Sequence, residues 1–308
     1  MKLGLVCISE ILQESEKLSA RTMTRKKFLS ESRQDIITEL SARILHNTGV
    51  LQRTLEHIHE IGISHYRVSS SMFPLVTDST LDLSYDDLPD MPAIREALHA
   101  AGSYARYNHI SLSCHPDQFN VLSSLNEDTV TRSIRQLNHE SAVMDMLGCA
   151  QDLSSPMCLH LNRSPKAEES IDDYVERFMT HYYMCDIGVR KRLALENEDK
   201  GFWNCYNLYE AFRERMPLVY DNLHDSCNPS PIIAGFDNPI TIAALYQRTW
   251  RGHVPVFHWS EGIDNSSKHA RYFSHIPEVV KRNPDIIFEC EVKAKDNAIL
   301  QVLNGDIK

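Results

Sequence analysis

Six side chains able to hold a metal ion, His115, His160, Glu196, Asp221, His224 and His258, stand at or just beyond the ends of short apolar runs: ISLSCHP, MCLHLN, RLALENED, LVYDNLHD and VPVFHWSE. Neutral imidazole mixed with ionised carboxylate suits Mn²⁺, Fe²⁺ or Zn²⁺ better than the all-oxygen sites of Ca²⁺ or Mg²⁺. In H-P-D-Q-F, Pro116 ends the strand, so the His115 imidazole, the Gln118 amide and the Phe119 ring project from one turn. Glu196 lies inside an apolar run, where an unpaired carboxylate is costly to bury and a cation removes that cost. His160 alone reads as a core histidine, and its neighbours bring it into the set. Asp221 and His224 are three apart, a strand-end acid followed by a turn imidazole. His269 completes five candidate histidines; the other ten read as surface or helix residues, His57 and His59 as part of a polar helix face. In DIIFECEVKAK, alternation turns Glu289 and Glu291 to one side. One of the two is a ligand, unless Lys293 and Lys295 make that strand end a salt-bridged one. So many N/O donors accommodate more than one ion, which suits in-line displacement at phosphorus and hence phosphodiester hydrolysis. Aldose–ketose isomerases also put His, Glu and Asp at strand ends, so site composition alone leaves both reactions open.

Residues scattered over 150 positions meet only if the fold gathers strand ends. Strand-like runs recur at 2–8, 65–70, 110–116, 157–162, 192–198, 218–224, 254–260 and 285–292, separated by helical stretches. In 36–62, for example, Ile36, Ile37, Leu40, Ile44, Leu45, Leu51, Leu55, Ile58 and Ile61 recur at spacings of three and four, and Gly62 is the stop. Eight strands alternating with helices predict a parallel α/β barrel, (β/α)8, whose strands present their carboxyl ends on one face. One domain over 1–308 is the simplest organisation. Segment 9–33 is expected to be an extended loop on the active face; Lys17, Arg21, Arg25, Lys26, Lys27 and Arg33 make it a solvated surface loop or a phosphate contact. Segment 71–92 reads as a second such loop.

The eight cysteines include no C-x-x-C pair and read as free thiols of a reducing compartment. The opening run KLGLVCI is far shorter than the roughly 20 apolar residues of a membrane span. A soluble intracellular protein is expected, in the cytoplasm or nucleoid, or in the nucleus if eukaryotic. A formal charge of −10 argues against indiscriminate nucleic-acid binding and requires any polyanion to meet a local basic patch.

The runs YRVSSSMFPL at 66–75, HPDQF at 115–119, LENED at 195–199, DNLH at 221–224, FHWSE at 257–261 and EVKAKDNA at 291–298 resemble, in order, the motifs of UV damage endonucleases. The resemblance spans nearly the whole chain. It implies a TIM barrel of the class shared with xylose isomerases and apurinic-site (AP) endonucleases. The implied activity is nicking of damaged double-stranded DNA on the 5′ side of cyclobutane dimers and 6-4 photoproducts. The implied cofactor is a cluster of two or three divalent ions, manganese first and zinc second, in a monomer without a membrane partner. By similarity the ligand positions are Asp78, His115, His160, Glu196, Asp221, His224, His258, His269 and Glu291, the last preferred to Glu289 because K-A-K-D-N-A aligns from it. Glu196, His224 and His258 carry the implied catalytic role. Gln118 and Phe119 fall where the family probes the base stack, and a side-chain pair wedged there fills the gap left by an extruded lesion. With Leu5, Ser9, Arg21, Arg25, Lys26 and Lys27 they form the implied DNA and lesion contacts. The chain departs from the family pattern where Leu5 and Ser9 replace a tyrosine and an asparagine, Asp78 a histidine, and Val256 a lysine. A metal-dependent sugar isomerase, an apurinic-site endonuclease and a catalytically inert damage-binding protein are the competing readings.

Overall fold

The computed structural model describes residues 1–233, 235–264 and 266–307. Its eight strands are β1 (Lys2–Val6), β2 (His65–Val68), β3 (Ser111–Cys114), β4 (Met157–Leu159), β5 (Leu193–Glu196), β6 (Leu218–Val219), β7 (Val256–Trp259) and β8 (Ile287–Cys290). All seven pairings are parallel, in the order β6-β5-β4-β3-β2-β1-β8-β7. The remaining seam, β6 to β7, is bridged at its carboxyl end by a parallel Asp221–His258 contact, where His258 N donates to Tyr220 O at 2.9 Å. The barrel is therefore nearly closed, and its last link joins two candidate ligands.

Strands were expected at all eight positions, but each ends earlier on its carboxyl side than the apolar run suggested. Those trailing residues leave the sheet to carry the site. Long helices cover the outside, among them Arg33–Glu60, Met91–Tyr107, Glu127–Met146 and Ile171–Met184. Ser32, Asn126 and Ser170 each cap a helix start by accepting a backbone N–H. Gly62, at φ +80°, ends the first of these helices two residues beyond Glu60. Segment 9–33 is not an irregular loop: it contains helices Glu10–Ser15 and Arg25–Phe28, capped by Ser9 and Thr24, and Met23 and Phe28 are buried in the core.

The barrel interior is polar. His65 contacts Ser111 Oγ at 2.7 Å, Ser113 Oγ at 3.1 Å and Glu289 Oε1 at 3.0 Å, forming a buried layer beneath the site. Gly4 on β1 makes room for that imidazole, since a Cβ there would sit 2.6 Å from His65 Cδ2. Because Gly4 faces inward, Leu5 must face the helices. It is fully buried there, which corrects the expectation that Leu5 contacts DNA. Among the described residues, no helix is long and apolar enough to cross a membrane.

Candidate metal centre

Glu196, the last residue of β5, is 1% exposed and lies at the middle of the cluster. Its Oε2 is 3.0 Å from His115 Nε2, 3.3 Å from His160 Nε2 and 3.2 Å from Cys158 Sγ. Its Oε1 is 2.9 Å from His258 Nδ1 and 3.1 Å from His224 Nδ1. Four imidazoles and a thiol thus converge on one carboxylate that offers roughly four lone pairs. Hydrogen bonding alone cannot use so many donors, three of them on one oxygen, whereas a divalent cation needs this N/O assembly around it. The residues present therefore fit a metal.

Each donor arrives for a local reason. His115 follows β3 directly and His160 follows β4, so both leave the sheet at its carboxyl rim. Asp221 caps the helix Asn222–Cys227 through Oδ1, which accepts from Leu223 N at 2.7 Å and His224 N at 2.8 Å. That cap turns His224, on the first turn of the helix, back toward Glu196; the residue was expected on a turn. Asp221 Oδ2 stays on the interior side, accepting from Ser260 Oγ at 2.8 Å and lying 3.9 Å from His258 Nδ1. Glu291, just past β8, has Oε1 3.8 Å from His258 Nδ1, while its Oε2 is 3.8 Å from His269 Nε2 at the more exposed rim. Three donor groups result: His115–Cys158–Glu196–His258, His160–Glu196–His224 and Asp221–His258–Glu291.

Electrostatics follow the same pattern. Burial would raise the Glu196 carboxyl, but the surrounding imidazoles, through the charge on His258 and hydrogen bonds from His115 and His224, outweigh it and hold the group well below the usual range. Burial, aided by neighbouring imidazoles, pushes His160 down to about 4, so it is neutral, the form that binds metal. Burial also acts to lower His224, yet Asp221 and Glu196 carry it up to about 11. Arg67 of β2 reaches up the barrel to Glu289 at 2.9 Å and to Glu291. Burial opposes ionisation of Glu291, and the Arg67 guanidinium reverses that, leaving the carboxyl at about 2.

The structure brings His115, His160, Glu196, Asp221, His224, His258 and Glu291 together, with His269 adjacent. It does not bring Asp78 to them. The Asp78 Oδ1 accepts from Thr80 N at 2.9 Å and Thr80 Oγ1 at 2.6 Å, and Oδ2 faces Arg25 at 3.7 Å. Ser9 is buried, donates to Asp296 and caps its own helix, so it too is withdrawn from the surface. Lys27 is matched by Glu31 at 2.5 Å and Glu39 at 3.1 Å, whereas Arg21, Arg25 and Lys26 are exposed. Gln118 and Phe119 occupy a turn, and Phe119 is 77% exposed at a cleft of about 730 Å³ lined also by Arg25, Asp78 and Arg132. His57 is not on a polar helix face; it is buried against Asp296 at 3.0 Å. Sequence reasoning missed Cys158, Arg67 and His65, each two residues from another inward-facing site residue or from each other on a strand.

Fold and site together define a TIM-barrel enzyme with a candidate metal centre at the carboxyl face of its strands. A family model described as UV-endonuclease UvdE matches residues 1–308, and the chain belongs to that family. It is 29% identical to the UV DNA damage endonuclease of Nostoc sp., with 97% of this chain and 88% of that protein covered. The crystal structure of SacUVDE superposes with a TM-score of 0.78 at 24% identity, covering 99% of this chain and 97% of that one. Endonuclease IV from Thermus thermophilus shares the fold at a TM-score of 0.54 and 17% identity, over 83% of this chain and 93% of that one. Family membership makes this chain an endonuclease of DNA repair.

Proposed function

We infer that the chain cuts duplex DNA on the 5′ side of ultraviolet photoproducts, cyclobutane dimers and 6-4 products alike, and that the cut requires two or three divalent ions, Mn²⁺ foremost. The observation carrying this reading is the convergence of four imidazoles on the buried Glu196 carboxylate. His115, His160, Glu196, Asp221, His224, His258, His269 and Glu291 would hold the ions. When bound, the ions supply Lewis acidity toward the phosphoryl oxygens.

The protein residues do the rest. Glu196, His224 and His258 form the catalytic set by fixing the donor geometry at the reacting phosphate. Phe119 and Gln118 are offered as the probe of the base stack: an exposed aromatic ring on a turn gains most where damage has already weakened stacking. Arg21, Arg25 and Lys26 supply local positive charge against the phosphate backbone of a chain that is acidic overall.

End-labelled duplexes carrying a defined dimer, a 6-4 product or an abasic site, incubated with and without Mn²⁺, test the reading. Nicking 5′ to the photoproducts, only with metal, is expected. Cleavage confined to the abasic duplex, or photoproduct duplexes left intact under every metal condition, would overturn it.

A further inference from the structure

Strand alternation places Cys158 and His160 of the β4 segment on the same inward face, two residues apart. The Cys158 thiol is buried, 3.2 Å from Glu196 Oε2, and its sulfur lies within 4.8 Å of the ligand atoms of His115, Glu196 and His258. Cys114, by contrast, follows inward-facing Ser113 on β3 and packs outward among Val143 and Met144. Cys290 likewise follows inward-facing Glu289 on β8. Among the described residues, Cys158 alone of the cysteines enters one of the three donor groups.

A buried cysteine ordinarily acts as a small hydrophobe. Here its immediate neighbours are two imidazoles and a carboxylate. On β7 the inward position two residues before His258 is Val256, which offers no donor, so that strand gives this corner one ligand; the β4 segment gives it Cys158, while His160 joins the His160–Glu196–His224 group.

We propose that Cys158 is a thiolate ligand, which makes the His115–Cys158–Glu196–His258 corner a site for a thiophilic divalent ion such as Zn²⁺ or Co²⁺ rather than for Mn²⁺. The inference rests on the metal-dependent reading above and assigns one of its ions. Two nitrogens, one oxygen and one sulfur complete a four-donor set of the kind zinc takes in tetrahedral sites. Soft thiolate selects such ions over manganese, which prefers oxygen donors. On binding, the S–H bond breaks, the proton leaves to buffer, and a sulfur–metal bond forms with no change of oxidation state. The centre is therefore of mixed character, with a thiolate corner beside the oxygen-rich Asp221–His258–Glu291 group.

The full chain, stripped with chelator and titrated with Co²⁺, is read by absorption. The visible d–d bands report uptake, and a near-ultraviolet thiolate-to-cobalt charge-transfer band reports sulfur ligation. The band is expected in the wild type and in Cys114→Ser, and is expected to vanish in Cys158→Ser with the d–d bands retained. Cys158→Ala provides the same comparison where the serine compromises folding. Zn²⁺ affinity should fall at least about 10-fold in the variant, with a smaller change for Mn²⁺. Wild-type d–d bands without the charge-transfer band, or a band surviving in both Cys158 variants, would overturn the thiolate assignment alone. Absence of d–d bands altogether would overturn it together with the metal-dependent reading.

Discussion

Glu196 Oε1 and His258 Nδ1 lie 2.9 Å apart although 62 residues separate them in the chain. The contact exists because β5 and β7 both end on the same rim, and because the β6–β7 seam closes through Asp221 and His258. Barrel closure and donor convergence are thus one event. A substitution that loosens the seam is felt at the site.

Phe119 exposes an aromatic ring for no folding benefit, so its removal should cost binding and not stability. Phe119→Ala is expected to leave the melting temperature and metal uptake unchanged. It should weaken the complex with a photoproduct duplex by about 1–3 kcal/mol, the range of a base–aromatic stack. Fluorescence anisotropy against damaged and undamaged duplexes checks this. Equal affinity of variant and wild type for the damaged duplex would remove the stack-probing role.

Arg67 is the buried cation facing Glu289 and Glu291. Deleting one partner of such a cluster leaves uncompensated carboxylates, a change that typically costs about 3–5 kcal/mol. Arg67→Met is expected to show that loss in urea unfolding of the metal-free chain, together with upward shifts of the Glu291 and Glu289 carboxyls. A loss under about 1 kcal/mol would mean that water or a rearranged partner replaces the guanidinium.

Glu140, on the helix Glu127–Met146, has its carboxyl raised to about 7 by burial, despite a hydrogen bond from Gln136 at 2.9 Å. The folded chain therefore holds a proton there that the unfolded chain releases near pH 4. Its contribution to stability is present in acid and is lost as pH rises through about 7. Glu140→Gln should match the wild type near pH 5 and be the more stable protein at pH 8, by on the order of 3 kcal/mol. Denaturant midpoints at the two pH values decide; a gap that does not widen with pH contradicts the assignment.

Much of this site was legible because imidazoles and acids at strand ends have few structural uses in a barrel. His115, Glu196 and Asp221 declared themselves by type and position. Cys158, Arg67 and His65 did not, although the signal was there: each stands two residues from another inward-facing site residue or from each other, and period-two alternation forces a shared face. The same parity disqualifies Leu5, one residue out of step with inward Gly4. Asp78 misled because it stands where the family pattern has a histidine ligand, whereas its Oδ1 accepts from Thr80 and its Oδ2 turns toward Arg25. His57 misled because its acid partner, Asp296, lies 239 residues away. The helical content of 9–33 was hidden by polarity, since its buried apolar anchors are only Leu12, Met23 and Phe28.

The residues around Glu196 are expected to hold metal jointly. Anomalous diffraction from crystals of the wild type and of Glu196→Gln, soaked with Mn²⁺, measures it most directly. Anomalous peaks are expected in the wild type within coordination distance of His160, His224, Asp221 and His258, with at least one peak absent in the variant. A wild-type map with no anomalous density among these side chains, while Mn²⁺ binds elsewhere or not at all, would contradict it.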